Sequence, residues 1–161
     1  MCLKVRIILP TIAIMLLFSS CSFNSMLSIY NNDKKIASET NTFNLGEIEQ
    51  EIDNKKIEAK IDDIEGMETI WSFTSDEDMD IELSGEMSIK SGKAKLVLIL
   101  PDNTLILLAE KDFASNSNEI TQTFSVKQGL NRIKLVAEKN TELDLVLAST
   151  DGDFQELGIN W

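Results

Sequence analysis

The stretch Met79–Lys90, MDIELSGEMSIK, decides the fold class because apolar and polar side chains alternate along it. The apolar set is Met79, Ile81, Leu83, Met87 and Ile89. The polar set is Asp80, Glu82, Ser84, Glu86 and Ser88. A repeat of two residues is typical of a β-strand with one face in a core and the other in water. The stretch therefore predicts a strand of an antiparallel sheet.

Turns and further strands are predicted on both sides of this stretch. The sequences KSGK (90–93) and PDN (101–103) predict tight turns around a strand that ends in LVLIL. The segment TLILLAE follows, and we expect both strands to be central ones covered on two faces. The remaining predicted strands are 67–74 with Trp71 and Phe73 on one face, 120–126, 132–138 and 143–147, with turns at KQG (127–129) and KNTE (139–142). This spacing predicts about eight or nine strands in an antiparallel sandwich or barrel.

Leu45–Ile64 is compatible with two structures. Its isoleucines are spaced nearly as on a helix, and Glu51 and Lys55 form a favourable i,i+4 pair. In contrast, IEAKI alternates, and DNK at 53–55 suits a hairpin turn. We favour two strands over a helix.

The segment Gly85–Ser149 resembles the jelly-roll-like β-sandwich modules of exported bacterial proteins. The resemblance lies in SIKSGKAKLVLILPDN and in FSVKQGLNRIKLVAE, where glycine and Pro-Asp turns separate the strands. It implies a jelly-roll-like antiparallel sandwich over 43–161. It bears on the fold and not on the function.

Composition excludes several kinds of chemistry. The chain has 161 residues, 15 basic and 27 acidic, and no histidine. Without Lys4 and Arg6 the net charge is 13 minus 27, or −14, which disfavours nucleic-acid binding. The absence of histidine removes Ser-His and Cys-His nucleophiles and the commonest zinc ligand. No catalytic residue and no cofactor is predicted.

The amino terminus has the layout of a secretory signal peptide. Met1–Arg6 carries positive charge, Ile7–Phe18 is mostly apolar, and the small residues Ser19 and Ser20 precede Cys21. A membrane-spanning helix needs about 20 apolar residues, more than this run supplies. The alternative is a buried first helix of the fold, which leaves the basic residues unexplained.

Leu17–Cys21, LFSSC, resembles the lipobox of bacterial lipoproteins, although Phe18 stands where that family usually has leucine. The resemblance implies that residues 1–20 are removed by cleavage between Ser20 and Cys21. It also implies that the Cys21 sulfur carries a diacylglycerol. Two or more acyl chains of the palmitate type give stable anchoring. We therefore expect a lipid-anchored protein on the extracytoplasmic face of a cell membrane.

Residues 21–42 are predicted to be the lipidated cysteine and a flexible polar tether, followed by the domain at 43–161. As a random coil, Ser22–Thr42 would span roughly 25 Å. The alternatives are that a part near Met26–Tyr30 docks on the domain or continues the signal helix.

Two groups of residues are candidate ligand sites. Alternating carboxylates at Asp76, Asp78 and Asp80 could bind Ca²⁺, as could Asp151 and Asp153, but neither group matches the twelve-position calcium loop. A solvated acidic turn is the favoured interpretation. The aromatic residues that could stack on sugar rings are Trp71, Phe73, Phe154 and Trp161. Core packing is favoured for Trp71 and Phe73, and Trp161 remains a speculative ligand-binding residue.

These observations favour a non-catalytic surface lipoprotein whose domain binds a partner or has a structural role. The expected partners are the membrane, through the anchor, and a cell-envelope protein or polysaccharide. The alternatives are a Ca²⁺-dependent or carbohydrate-binding module and a carboxylate-based hydrolase, which would need two carboxylates in one cleft.

Overall fold

The computed structural model describes residues 29–159, and most of them lie in antiparallel strands. The elements are α1 Asp33–Ile36, β1 Thr42–Leu45, β2 Ile48–Asp53, β3 Lys56–Ser75, β4 Met79–Ser91, β5 Lys93–Ile99, β6 Leu105–Asp112, β7 Glu119–Val126, β8 Gly129–Ser149 and β9 Asp153–Phe154. The prediction of an all-β antiparallel sandwich is confirmed. Across residues 29–159, no helix is long and apolar enough to span a bilayer.

Two long strands, β3 and β8, connect the two halves of the sandwich. They pair from Lys56↔Ala148 to Ser75↔Gly129. The end of β8 also pairs with β4, and its beginning pairs with β5. We call the half that contains β4 the β4 half, and its strands lie in the order β7, β4, β8, β3 and β2. We call the other half the β5 half, and its strands lie in the order β6, β5, β8 and β3. In the β5 half, β1 and β9 pair with the edge of β3 that faces away from β8.

One apolar core lies between the two halves. Trp71 of β3 is fully buried and meets Phe124 of β7 edge to face, with ring centroids 6.0 Å apart. The alternation predicted for β4 is confirmed, since Ile81, Leu83 and Met87 are each 0% exposed. The inward side chains of both halves thus form a single contiguous core.

Both long strands bend where one half passes into the other. In β3 the register shifts between Ile61 and Gly66, and Gly66 has φ = 110°. A Cβ at Gly66 would lie 2.1 Å from the carbonyl oxygen of Thr42, so only glycine lets β1 pair there. In β8 the bend includes Asn140, with φ = 59°.

The prediction of a turn at KNTE, 139–142, is therefore wrong. It is the bend of β8, and the two strands predicted around it are one strand. The KSGK turn does form at Gly92, with φ = 76°. It leads the chain from the β4 half to the β5 half, because β4 and β5 do not pair with each other.

The region 45–64 forms the favoured hairpin and not a helix. The β2 and β3 strands pair from Ile48↔Ile61 to Asp53↔Lys56, around the turn at Asn54 and Lys55. Ile57 and Ile61 are buried on the core face of β3, which matches the alternation of IEAKI.

Of the two strands predicted to be central, β5 is central and β6 is an edge strand. The β5 strand lies between β6 and β8 and is buried on both faces. In contrast, among the strands of residues 29–159, β6 pairs with β5 alone, and Leu107 in β6 is 57% exposed. The prediction for TLILLAE is wrong because an apolar run does not show how many neighbours its strand has.

Candidate functional site

The outer face of the β5 half is covered by the chain that precedes β1. We call residues 29–41 the docked segment. Its side chains of Ile29, Tyr30 and Ile36 are at most 4% exposed. They form a second apolar cluster with outward side chains of the sheet, namely Met67, Val97, Ile99 and Val136. For these residues, the structure shows docking in place of the predicted flexible tether, in agreement with the alternative for Ile29 and Tyr30.

Two cations of β8 bind backbone carbonyls of the docked segment. The Lys134 ammonium donates to the carbonyl oxygens of Ser38 and Thr40, both at 2.8 Å. The Arg132 guanidinium donates to those of Ala37 and Ser38, both at 3.2 Å. These carbonyls follow the last turn of α1, where free acceptors are found. The segment is thus held by charge-assisted hydrogen bonds as well as by apolar contact.

Lys134 is 0% exposed and has no carboxylate partner in the described part of the chain. Burial, and secondarily the charge of Arg132, lower the pKa of Lys134 to about 8. Burial also lowers the pKa of Arg132. In the sequence, Lys134 alternates with the apolar residues Ile133, Leu135 and Ala137, a pattern typical of a side chain on the face away from the core. No local signal shows that carbonyl groups cover that face.

Tyr30 attaches the beginning of the docked segment to β5 and β6. Its hydroxyl donates to Glu110 at 2.8 Å, and its ring lies 4.5 Å from the Lys95 ammonium and 5.3 Å from that of Lys93. Burial and the Glu110 contact raise the pKa of the Tyr30 hydroxyl. Hydrogen bonds from Lys93 and then Tyr30 lower the pKa of the Glu110 carboxyl. Tyr30 therefore stays protonated and continues to donate at physiological pH.

A groove of about 920 Å³ lies beside the end of the docked segment. Asn41 forms part of it and fixes the segment there, because its side-chain oxygen accepts from the Thr69 backbone N–H at 2.9 Å. The wall contains one guanidinium, two carboxylates and a few apolar groups. The lining residues are Glu39, Thr40, Asn41, Thr69, Leu130, Arg132, Phe154, Gln155 and Glu156. Such a mixed polar groove suits a ligand that forms hydrogen bonds.

Glu68 of β3 is a buried carboxyl that holds the end of the described chain. It is 1% exposed, and it accepts from the Gly158 N–H at 2.8 Å. Its second oxygen has no hydrogen-bond partner among the described residues, and the same is true of Glu65 Oε1. Burial raises the pKa of Glu68 to about 7, against an ordinary value of 4.5. This carboxyl therefore favours the folded state most below pH 4.5, and that contribution is lost as the pH rises through 7.

We predict that Glu68→Gln stabilises the protein at alkaline pH. The neutral amide still accepts from Gly158 but carries no buried charge, so the gain at pH 8 should be about 1–3 kcal/mol in the free energy of unfolding. The gain should shrink toward zero near pH 5, where the wild-type carboxyl in the folded protein is protonated. Urea melts at the two pH values measure this. Glu86→Gln, at an exposed position on β4, is the matched control; equal effects of the two variants, or a gain that does not depend on pH, would contradict the prediction.

The structure does not bring Asp76, Asp78 and Asp80 together as a calcium site. Asp78 forms an ion pair with Lys127 at 2.6 Å and accepts from the Gln128 N–H, and these contacts lower the pKa of Asp78. Asp80 accepts from the Ser125 hydroxyl at 2.6 Å. Over residues 29–159 there is no group of three or more His, Cys, Asp or Glu side chains placed to hold a metal ion.

Other predicted residues lie in the core or outside the described residues. Trp71 is buried, and Phe73 packs beside it, with ring centroids 6.1 Å apart, as the core interpretation predicted. Phe154 is 6% exposed, which leaves little surface for a sugar ring. The proposed cleavage and lipidation residues, Ser20 and Cys21, and the speculative ligand residue Trp161 lie outside residues 29–159.

The geometry defines an all-β sandwich with a segment docked across one outer face. No protein-family model matches the sequence, and no curated protein matches it. One solved structure to which the chain is similar is the pre-peptidase C-terminal domain of a collagenase from Bacillus anthracis. The identity is 16%, the match covers 69% of this chain and 90% of that chain, and the TM-score is 0.36.

Proposed function

We propose that the protein is a lipoprotein anchored through Cys21 to the extracytoplasmic face of a cell membrane, and that its sandwich has a binding or structural role without catalysis. The observation that carries this proposal is the order of basic residues, short apolar run, two serines and cysteine in Met1–Cys21. Acyl chains at Cys21 would supply the anchoring energy, at about 0.8 kcal/mol per buried CH₂.

The docked segment shortens the flexible connection between the proposed anchor at Cys21 and the domain. Only Cys21–Ser28 separates the proposed lipid from Ile29, and these eight residues extend to at most about 29 Å. Since residues 29–41 are fixed to the sheet, they add no freedom to the connection. The domain is therefore held against the envelope surface, where a cell-envelope protein or polysaccharide is its natural partner.

The groove and the buried carboxyls support binding more than hydrolysis. Glu39 and Glu156 share the groove, but both are exposed, whereas a carboxyl acting as general acid lies in an apolar pocket. Glu68 does have a raised pKa, but it is 1% exposed and holds Gly158, so a substrate does not reach it.

Replacing Cys21 tests the anchor. We expect the parent protein to sediment with membranes and to incorporate a palmitate analogue, whereas Cys21→Ala should do neither. Cys2→Ala is the matched control, because Cys2 precedes the apolar run and would leave with the signal peptide; it should behave like the parent. The readouts are cell fractionation and the intact mass of the purified chain. A Cys21→Ala protein that remains membrane-bound and processed like the parent would refute the proposal.

A further inference from the structure

The β5 half ends in an apolar edge strand. Within residues 29–159, β6 pairs with β5 alone, so its second edge carries backbone N–H and C=O groups that no strand in this part of the chain pairs with. The sequence along this edge is Leu105–Leu108, LILL. Ile106 is 36% exposed and Leu107 is 57% exposed. An exposed apolar edge of this kind is a place where another strand can pair.

The pairing with β5 shows on which face each side chain of β6 lies. Leu105 and Leu107 pair with the two β5 residues of the apolar cluster beneath the docked segment. They therefore lie on the outer face, because directly paired residues point to the same side of a sheet. Ile106 pairs with the core residue Leu98 and lies on the core face. Leu108 has no partner in β5 and forms a bulge, so the regular part of the edge is 105–107.

This edge carries no charge in a protein that is strongly acidic. Residues 29–159 contain 13 basic and 27 acidic side chains, a net charge of −14, yet 103–109 contains neither kind. The edge strand β2, in contrast, carries the carboxylates of Glu49, Glu51 and Asp53, which repel a second acidic strand. Two copies of this chain can thus meet at β6 without placing carboxylates opposite one another.

We propose that the 105–107 edge of β6 pairs antiparallel with the same edge of a second copy of the chain. A two-fold axis perpendicular to the sheet at Ile106 pairs this residue with Ile106 of the second copy, on the core face. The same axis pairs Leu105 with Leu107 of the second copy, on the outer face, and does so twice. Each paired residue keeps its face and meets an apolar partner, which is the self-complementarity that an isologous dimer requires.

The outer face has room for the leucine that the second copy brings. Leu105 lines a groove of about 650 Å³ between α1 and the turn at Asn103. In the dimer, Leu107 of the second copy lies opposite Leu105 and therefore beside this groove. The contact removes from water, in both copies, a leucine side chain that is 57% exposed in the single chain.

The contact is small, so we expect a weak dimer. Three paired residues per copy bury less than the roughly 1,200 Å² of a stable interface. The net charge of −14 on residues 29–159 of each copy opposes association, and salt screens this repulsion. Attachment of both copies to one membrane would raise their local concentration. The pairing itself goes beyond the proposed function and does not require the anchor.

Disulfide cross-linking of the purified full chain tests the pairing. Ile106→Cys places a thiol on the two-fold axis, where paired strands bring Cα atoms to about 4.5–5.5 Å, a distance that a disulfide spans. Val146→Cys is the matched control, because Val146 is 38% exposed but lies on the outer face of the β4 half. At about 0.1 mM protein, the disulfide dimer should form about tenfold faster in Ile106→Cys than in Val146→Cys. The parent chain gives the background from Cys2 and Cys21, and peptide mapping identifies the joined cysteines.

Leu107→Lys in the Ile106→Cys background separates strand pairing from random collision. It removes the leucine that faces Leu105 of the second copy and adds a charge to the edge, at a position exposed enough for the fold to tolerate it. Cross-linking should fall about tenfold. In Ile106→Cys alone, cross-linking should rise when NaCl is raised from about 0.01 M to about 0.15 M, because the repulsion between the acidic copies is then screened.

Three results would overturn the inference. The first is equal cross-linking of Ile106→Cys and Val146→Cys, and the second is cross-linking that Leu107→Lys does not reduce. The third is a thiol at position 106 that, in cells, joins a different protein and not a second copy, which assigns the edge to that protein. None of these results bears on the anchor, which Cys21→Ala tests separately.

Discussion

Trp71→Ala is expected to lower the free energy of unfolding by about 3–5 kcal/mol, as for the loss of other large buried side chains. Trp71 is 0% exposed and lies between the two halves of the sandwich, against Phe73 and Phe124. Its removal leaves a cavity that these rings fill only in part. Its indole N–H also donates to Ser149 Oγ and to the carbonyl oxygen of Asp151, at 3.1 and 3.0 Å. Urea unfolding monitored by circular dichroism gives the change.

Two companion variants separate the contributions to this effect. Trp71→Phe keeps most of the ring and loses the N–H, so it should cost about 1–3 kcal/mol. Gly152→Ala places a Cβ 2.2 Å from the Trp71 ring, at φ = 79°, and should destabilise strongly in the parent protein. In the Trp71→Ala background the Cβ added at position 152 no longer collides with the indole ring. The decrease in the free energy of unfolding of the double variant should therefore be much smaller than the sum of the decreases caused by Trp71→Ala and Gly152→Ala. Additive losses would show that Trp71 does not fill the space beside Gly152.

The burial of Trp71 could be predicted from the sequence, but its hydrogen bonds could not. Alternation over 67–74 placed Trp71 and Phe73 on an apolar face, and the structure confirms this. The partners of the indole N–H lie 78 and 80 residues away along the chain. Nothing in the local pattern of β3 indicates which loop would return to it.

Turn-forming residues alone did not show where strands end. KNTE contains residues that favour turns, and Asn140 does adopt a positive φ of 59°. Yet hydrogen bonding to β3 continues on both sides of it, so β8 bends without ending. A bent strand and a turn have similar local sequences, and the long-range pairing decides between them.

A signal for the docked segment was present in the sequence. The strand ending in LVLIL is apolar on both faces, which requires a cover on the side away from the core. In the structure that cover contacts Val97 and Ile99, and it comes from the residues predicted to be a flexible tether. Its three buried side chains, Ile29, Tyr30 and Ile36, follow no helical or strand period, so local pattern could not identify them as the cover.

Ile36→Asp is expected to release the docked segment and leave the sandwich folded. Ile36 is 0% exposed and packs in the cluster beneath α1. Loss of its burial removes about 2 kcal/mol, and the new carboxylate has no place in an apolar cluster. Since 1.36 kcal/mol corresponds to a factor of ten, the released fraction should rise more than tenfold.

Limited digestion with trypsin measures the release, because Lys34 and Lys35 lie within the segment. Cleavage after these lysines should be more than tenfold faster in Ile36→Asp than in the parent, by the same conversion. Asn31→Asp is the matched control, since it adds the same charge at an exposed position of the segment. Equal cleavage of the two variants, or loss of the whole fold in Ile36→Asp, would contradict a separable segment.

The pKa of the buried Lys134 ammonium is an independent measure of the release of the docked segment. In the parent protein, burial keeps the pKa of Lys134 near 8 while its ammonium donates to Ser38 and Thr40. Once the segment leaves, water reaches the ammonium, and the pKa of Lys134 should rise toward its ordinary value of 10.5. NMR titration of the lysine side chains would detect this rise.

Release also lengthens the connection to the proposed anchor at Cys21 from eight residues to about twenty, so its r.m.s. span increases from about 16 Å to about 25 Å. Under the proposed anchoring at Cys21, the docking of this segment would therefore set how far from the bilayer the domain can act.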